Sequence, residues 1–290
     1  MATFDFVVST ENQPYVTWQA MLFHYTCAKH MERAPIVVVH GNEGEELMPG
    51  YDLIRERGGR VQRARNFRNE GPEYEPRNTP GSLECVESDA DYLVLCDPDM
   101  LFLRRLPLGP LRLRDDQVSF ELASYLVVDD ENAPALERPC RITGVELDAL
   151  RARPIPGGVP HVVPAALREP LARDWLECLE AFAPEPDDDA RIYRLASMWA
   201  LVLATHRLGL GAVLTTFGAT NFEGDRPAPP SGPEKALLHY CYGDEEFDKR
   251  DFTTAEDERA AVWRSVARPG TVNATICAEL RAAGEYFGLV

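Results

Sequence analysis

Residues 91–102 read DYLVLCDPDMLF, and this stretch decides the fold. Its apolar run is bounded by polar residues, which is the pattern of a short strand buried on both faces of a parallel sheet. Two carboxylates, Asp97 and Asp99, follow where that strand would leave the sheet. Ligands of open α/β sheets bind at that edge. The sequence therefore predicts a ligand site beside this acidic pair.

The acidic pair has the spacing of a metal-binding turn. Only Pro98 separates Asp97 from Asp99, and proline fixes the backbone and donates no hydrogen bond. Both carboxylates can then face one hard divalent cation, whose shell is usually completed by water and substrate phosphate oxygens. The alternative interpretation is a solvated turn without a ligand, and an isolated Asp-x-Asp pattern leaves both open.

Strands and helices alternate in the chain that precedes the pair, which predicts a right-handed, mainly parallel α/β unit with helices flanking a central sheet. The predicted strands are 4–9, 35–40 and 60–64. One predicted helix begins at Pro14, and a second covers 43–57. A loop is predicted over 66–81, because charge, glycine and proline dominate there.

The chain after the pair is predicted to be mixed. Strands are expected at 118–128, 212–217 and 236–243, helices at 164–182, 191–208, 253–263 and 271–287, a glycine-centred loop at 154–161, an acidic linker at 184–189 and a further loop at 221–234. We expect one domain, residues 1–252, with a C-terminal helical extension, residues 253–290, packed on it.

Composition limits the classes of partner. The chain has 290 residues, a net charge of −17 and 45% hydrophobic residues, so it can bury a core but is too acidic for nucleic acid or an anionic membrane. No apolar run approaches the roughly 20 residues of a membrane span, and the N-terminus enters a strand without a signal-peptide pattern. The seven cysteines form no Cys-x-x-Cys pair, as in proteins with reduced thiols. We expect a cytoplasmic protein, in which an anionic ligand needs local basic groups or a metal.

Three sequence blocks share one order with a known family. They are 7–19, 91–99 and 239–250, within a similarity that runs from about Phe6 to Arg250. The element order resembles the GT-A fold of nucleotide-sugar glycosyltransferases, and the blocks resemble plant peptidyl hydroxyproline O-arabinosyltransferases and the related peptidyl serine α-galactosyltransferases. The frequent Ala, Arg and Leu residues suggest a bacterial relative.

The resemblance implies a metal-dependent glycosyltransferase with Mn²⁺ or Mg²⁺ as cofactor. It would move a pentose or hexose from a UDP-sugar to a hydroxyl of a peptide or small-molecule acceptor, with retention. The implied metal ligands are Asp97, Asp99 and His239; the implied catalytic residues are Asp97, Lys249 and Arg250. The implied donor-binding residues are Thr10, Tyr15, Trp18, Gln19, Asn78 and Asp97, and the implied acceptor-side residues are Gly157, Gly158, His161 and Ser197.

Several of these residues could instead have a purely structural role or lie on a solvated surface. A strand histidine such as His239 is usually a packed polar residue, and Trp18 falls on the core-facing stripe of its predicted helix. Lys249 and Arg250 belong to a charged run of the kind that often forms a solvated surface.

Two departures from the plant pattern keep other functions open. The first acid of the plant pair is a glutamate where this chain has Asp97, and the plant enzymes have an acidic residue that aligns with Ser197. A binding protein without turnover is therefore an alternative. A haloacid-dehalogenase-type phosphatase also places Asp-x-Asp after a buried strand, but it needs threonine or valine where this chain has Leu101.

Overall fold

The computed structural model describes residues 2–70, 74–109, 111–155, 157–182, 190–220, 235–241 and 246–290. The predicted acidic linker at 184–189 and the predicted loop at 221–234 lie outside these residues. The strands are β1 (Phe4–Glu11), β2 (Ile36–Gly41), β3 (Arg60–Arg65), β4 (Tyr92–Cys96), β5 (Met100–Phe102), β6 (Gln117–Glu121), β7 (Gly158–Pro164), β8 (Gly211–Thr215), β9 (Gly218–Thr220) and β10 (Leu237–His239). The helices are α1 (Pro14–Met31), α2 (Pro49–Glu56), α3 (Asn78–Cys85), α4 (Ala133–Thr143), α5 (Leu147–Ala152), α6 (Arg168–Glu180), α7 (Ala190–Arg207) and α8 (Val272–Phe287).

The chain forms two compact units, each assembled from separate segments. The first unit comprises Met1–Asp5, Asn66–Leu95 and Arg112–Thr215, and the second comprises Phe6–Arg65, Cys96–Leu111 and Thr216–Val290. The predicted C-terminal extension, residues 253–290, falls within the second unit.

The second unit contains parallel strands in the order β3-β2-β1. The inner residues of β1 and β2 are almost all buried, which agrees with the apolar runs 6–8 in β1 and 36–39 in β2. A small sheet in the order β5-β10-β9 follows, with β10 antiparallel to β5 and parallel to β9. Because His239 is the register partner of Met100, β10 brings a histidine beside the residue that follows Asp99.

Helix α8 closes the second unit. Its N-terminus is capped by Thr271, whose side chain accepts a hydrogen bond from the amide of Ala274, and Gly288 ends the helix. Ile276, Leu280 and Phe287 lie on its buried face. Helix α1 packs nearby, so that the ring of its buried His24 lies 6.0 Å from that of Phe287.

The first unit carries mixed strands in the order β4-β7-β6-β8. Strand β7 is antiparallel to both β4 and β6, whereas β6 and β8 are parallel. Helices α6 and α7 pack together, and Trp175 Nε1 donates a 2.8 Å hydrogen bond to the carbonyl oxygen of Ser197. Arg77 Nε and Glu180 Oε1 form a 2.7 Å ion pair, with the arginine side chain only 7% exposed.

The expected α/β fold, with a central sheet and flanking helices, is confirmed. Strands β1, β2 and β3 and helices α1, α7 and α8 lie where the sequence predicts them, within one or two residues at most boundaries. No helix among the described residues is long and apolar enough to cross a membrane.

Several predicted boundaries are wrong. The helix expected over 43–57 begins only at Pro49, since proline suits the first turn and Gly44 adopts φ 76°, which no right-handed helix allows. The loop expected over 66–81 already contains the start of α3. The strand expected over 118–128 ends at Glu121, after a register shift against β7, and buried and exposed residues without strand structure follow.

The loop expected at 154–161 is also corrected. Residues from Gly158 onward form β7, whose seven residues are nearly all buried. The strand expected at 236–243 is shorter, because β10 ends at His239 and the described residues Tyr240 and Cys241 are not in a strand; 242–245 lie outside the described residues. In place of a regular helix over 253–263 the chain forms a π-helical turn, Asp257–Ala261, and a 3-10 turn, Val262–Arg264.

Candidate metal centre

The backbone of the second unit brings the acidic turn and the histidine strand together. Asp97 follows the last residue of β4, and Asp99 precedes β5. The amide of Tyr240 donates a 3.0 Å hydrogen bond to the carbonyl oxygen of Asp99, which continues the β5-β10 ladder into the turn. The Tyr240 hydroxyl lies 3.4 Å from the carbonyl oxygen of Pro98. Tyr240, the residue after His239, therefore holds the turn through its contacts with Pro98 and Asp99.

The imidazole contacts both carboxylates. His239 Nε2 lies 3.0 Å from Asp99 Oδ1 and 3.8 Å from Asp97 Oδ2. One ligand atom from each of the three residues lies within 4.8 Å of the others. Lys249 Nζ forms an ion pair with the second oxygen of Asp99, Oδ2. Asp99 is the more enclosed acid, with 11% of its side chain exposed against 36% for Asp97.

These surroundings separate the two acids in protonation. Burial raises the pKa of Asp97 to about 6, although the cationic forms of His239 and Lys249 oppose this rise. Burial acts on Asp99 in the same direction, but its contacts with His239 and Lys249 outweigh burial and hold its pKa well below the ordinary range. Asp99 therefore stays ionised to a lower pH than Asp97 does.

The same contacts act in reverse on the two bases. Burial lowers the pKa of His239, but the two carboxylates outweigh it, so the net shift is upward. The pKa of Lys249 is raised in the same way, because its pairing with Asp99 outweighs burial.

The donor set fits a divalent cation. Two carboxylates and one imidazole are ligands that Mn²⁺ and Mg²⁺ accept, and the nitrogen favours Mn²⁺. The carboxylates are held by a braced turn, and the histidine reaches them from a neighbouring strand, so no rearrangement of the backbone is needed to bring the three together. The structure brings Asp97, Asp99 and His239 together, and their binding of a metal ion stays a prediction.

The fold is that of known glycosyltransferases. The galactosyltransferase LgtC in complex with donor and acceptor sugar analogs matches with a TM-score of 0.53 and 14% identity, over 99% of this chain and 100% of that one. An active-site mutant of LgtC matches with a TM-score of 0.55 and 13% identity over the same shares. The apo structure of WbbM, a bifunctional glycosyltransferase, matches with a TM-score of 0.50 and 11% identity, over 97% of this chain and 52% of that one.

Comparisons of the sequence alone assign the chain to no family. No protein-family profile matches the chain, and no curated protein matches it. The structural similarity accordingly shows the GT-A-like fold, whereas the resemblance to plant arabinosyltransferases stays a prediction.

Three of the predicted donor-binding residues are buried with internal partners. Thr10 Oγ1 donates to the carbonyl oxygen of Val38 at 3.0 Å, and Gln19 Nε2 donates to that of Tyr15 at 2.6 Å. Trp18 is fully buried, and its Nε1 donates to the carbonyl oxygen of Phe252 at 3.0 Å. The structure thus matches the core-packing alternative for the tryptophan.

Tyr15, another predicted donor-binding residue, shares the electrostatic environment of the acidic cluster. Its side chain is half-buried, and burial raises its pKa, with the nearby charges of Lys249 and Asp99 acting in opposite directions. Asn78, also predicted to bind donor, is buried in the first unit, where its Nδ2 donates to Asn66 Oδ1 at 3.0 Å.

The predicted acceptor-side residues all lie in the first unit. Gly157 adopts φ 65°, and an added Cβ would lie 2.6 Å from the Cδ1 atom of Leu126. An added Cβ on Gly158 would lie 2.6 Å from the carbonyl oxygen of Glu121. The positive φ therefore favours glycine at 157, and the close approach of the Glu121 backbone favours it at 158.

His161 and Ser197, the other predicted acceptor-side residues, differ in accessibility. His161 is buried on β7 with its ring centroid 5.5 Å from that of Phe120, and its Nδ1 bonds to no residue that the structure describes. Burial lowers its pKa to about 3, so it is neutral. Ser197 is half-buried on α7. Their proposed contact with an acceptor stays a prediction.

The two predicted catalytic cations have different partners. Lys249 faces Asp99, whereas the guanidinium of Arg250 is bound to Asp248 through Nε at 2.8 Å and is largely exposed. Asp248 also accepts a 2.9 Å hydrogen bond from the Arg250 amide and so caps the turn that carries both cations. Sequence reasoning did not identify the Lys249–Asp99 pair, since no motif links two residues 150 positions apart.

Proposed function

We propose that this protein is a glycosyltransferase that transfers a sugar from a UDP-sugar to a hydroxyl acceptor with the help of a divalent cation. Asp97, Asp99 and His239 would hold Mn²⁺ or Mg²⁺. The observation that carries the proposal is the convergence of these three side chains, from two distant parts of the sequence, at the end of a buried strand in a glycosyltransferase fold.

The neighbouring structures support a sugar donor. LgtC was crystallised with donor and acceptor sugar analogs, which favours a sugar donor and a sugar or other hydroxyl acceptor here. The peptide acceptor and the pentose donor rest only on the plant resemblance.

The chemistry requires stabilisation of a leaving diphosphate. A bound cation would supply Lewis-acid stabilisation of the negative charge that develops there. Asp99 is anionic and enclosed, so it can fix the position of that cation, and His239 would do so through its neutral nitrogen. Lys249 lies close enough to the centre to neutralise part of the diphosphate charge. Arg250 would have to leave Asp248 before it could do the same.

We propose that the acceptor attacks on the face from which the diphosphate leaves. The bond between the anomeric carbon and the diphosphate oxygen breaks with its electron pair on that oxygen. The acceptor oxygen bonds to the same carbon, and its proton passes to the departing diphosphate. This sequence retains the anomeric configuration and needs no enzyme nucleophile.

Binding of UDP tests the proposal. Calorimetry should detect UDP binding that strengthens with MnCl₂ and is lost in Asp99→Ala. The matched control is Asp52→Ala, which removes an exposed carboxylate paired with Arg55 in the same unit and should leave UDP affinity unchanged. Equal UDP affinity in chelator and in MnCl₂ would refute the metal-dependent function.

Turnover separates the enzyme from the alternative of a binding protein. A panel of UDP-sugars incubated with protein and MnCl₂ should release UDP from at least one donor. UDP binding without any release, together with release in Ser197→Asp, would favour the binding protein, because the plant pattern has an acid at that position.

A further inference from the structure

Both oxygens of Asp99 are already engaged by bases of the chain itself. Oδ1 lies 3.0 Å from His239 Nε2, and Oδ2 is paired with Lys249 Nζ. The ammonium group therefore shares a carboxylate with the group of atoms that would bind a cation. Any divalent ion that approaches Asp99 meets a positive charge already in place.

Lys249 is held in this position by its surroundings. It begins a short 3-10 turn, Lys249–Asp251, which Asp248 caps. Only 12% of its side chain is exposed. An enclosed ammonium group without an anionic partner is strongly disfavoured, so Lys249 can leave Asp99 only toward another anion.

We propose that Lys249 is an internal counter-ion for Asp99 that a diphosphate draws away, so that the metal and the nucleotide bind cooperatively. Without nucleotide, the ammonium group competes with the cation for Oδ2 and repels it. With nucleotide, the diphosphate provides Lys249 with a second anion and leaves the carboxylate to the metal. This inference rests on the proposed function and adds a coupling between its two binding equilibria.

The chemistry of lysine suits such an exchange. Its ammonium is a compact point charge with three donors on a flexible four-carbon stem, so it can change partners without movement of the backbone. Arg250, one residue further on, is instead tied to Asp248 through its guanidinium and its amide. The two neighbouring cations thus have separate roles, and only Lys249 responds to the occupancy of the metal centre.

The affinity for Mn²⁺ alone should depend on the charge of Lys249. Loss of a positively charged neighbour should tighten binding of Mn²⁺ alone, although the same change removes a contact to UDP. Linked binding equilibria commonly differ by about 5- to 150-fold. We expect Lys249→Met to bind Mn²⁺ about tenfold more tightly than the unaltered protein in the absence of UDP, and to lose most of the increase in affinity that UDP confers.

Calorimetric titration with MnCl₂, with and without UDP, measures both effects and does not depend on turnover. The matched control is Lys29→Met, which removes the same charge from an ion pair with Glu279, 2.8 Å long, in the same unit. It should leave both affinities unchanged. Lys249→Arg, which keeps the charge, should retain the weak binding of Mn²⁺ alone. Thermal unfolding verifies each variant, and Lys249→Gln replaces Lys249→Met, with the same expectation, if the latter does not fold.

The outcomes are distinct. Tighter Mn²⁺ binding in Lys249→Met, with a smaller effect of UDP, supports the counter-ion role. Unchanged or weaker Mn²⁺ binding in that variant, while the unaltered protein still binds UDP better with Mn²⁺, overturns this inference and leaves the proposed function intact. Failure of the unaltered protein to bind UDP or Mn²⁺ overturns both.

Discussion

His24 should make the folded protein sensitive to acid. Its side chain is fully buried on α1, with ring centroids 6.3 Å from Tyr286 and 6.0 Å from Phe287. Neither of its ring nitrogens bonds to any residue that the structure describes. Burial among these rings lowers its pKa from 6.5 to about 4. The folded state therefore requires the neutral imidazole.

The sign and size of the effect follow from linkage. Between the unfolded pKa of 6.5 and the folded pKa of about 4, the unfolded chain binds more protons, so stability rises with pH and is lost on acidification. One pKa unit corresponds to about 1.36 kcal/mol. We expect His24 to lower the free energy of unfolding by about 1.2 kcal/mol at pH 5.5 and about 3 kcal/mol at pH 4, relative to pH 7.

Urea unfolding at pH 7, 5.5 and 4 measures this loss. Other groups also titrate, so the informative quantity is the difference between the unaltered protein and His24→Leu, which should lose about 3 kcal/mol less stability at pH 4. His30→Leu is the control on the same helix. That side chain is half-buried, and burial lowers its pKa as well, so its replacement should recover a smaller part of the loss.

A parallel loss of stability in the unaltered protein and in His24→Leu would refute the argument. It would mean that His24 gains a proton in the folded state as readily as in the unfolded chain, and that its enclosure does not exclude water.

Three further outcomes are expected. Gly81→Ala should destabilise the fold by about 1–3 kcal/mol in urea unfolding, since its Cβ would lie 2.4 Å from the ring of Phe67, whereas Gly109→Ala, with open space around it, should cost less than 1 kcal/mol. Thr271→Ala should cost about 1 kcal/mol through loss of the cap on the Ala274 amide, and Thr271→Ser should recover most of it in the same assay. Removal of metal with a chelator should abolish the Mn²⁺-dependent part of UDP binding, and readdition of MnCl₂ should restore it. A loss of UDP binding that MnCl₂ does not reverse would contradict simple coordination.

Hydrophobic patterning accounts for the parts of the fold that could be predicted. Strands β1 and β2 contain short apolar runs, 6–8 and 36–39, and α8 has both an apolar stripe and a threonine cap, so local signals agree with the final structure. The pairing of His239 with the acidic turn followed from the family resemblance, and no local signal gives it. It depends on the strand that β10 pairs with, which the sequence of this three-residue strand does not specify.

The elements and contacts that could not be predicted from the sequence depend on tertiary packing. Strand β7 contains two prolines and begins with a glycine, which are loop signals, yet its central residues are buried between β4 and β6. Helix α3 contains Pro80 and Gly81 and is stabilised by packing rather than by propensity. The contact of Lys249 with Asp99 has no sequence signal, because an isolated lysine in a charged run is usually solvated.

The pairing of β10 with β5 also bears on how the protein folds. The contact of His239 with Asp99 closes a long loop of chain. Contacts between residues so far apart in sequence form slowly, because the chain loses the entropy of loop closure before the contact stabilises the fold. The acidic turn can form early, but the imidazole reaches it only when β10 has joined the small sheet. During refolding, the recovery of full Mn²⁺ affinity would therefore mark the completion of the second unit, later than collapse or the appearance of helix.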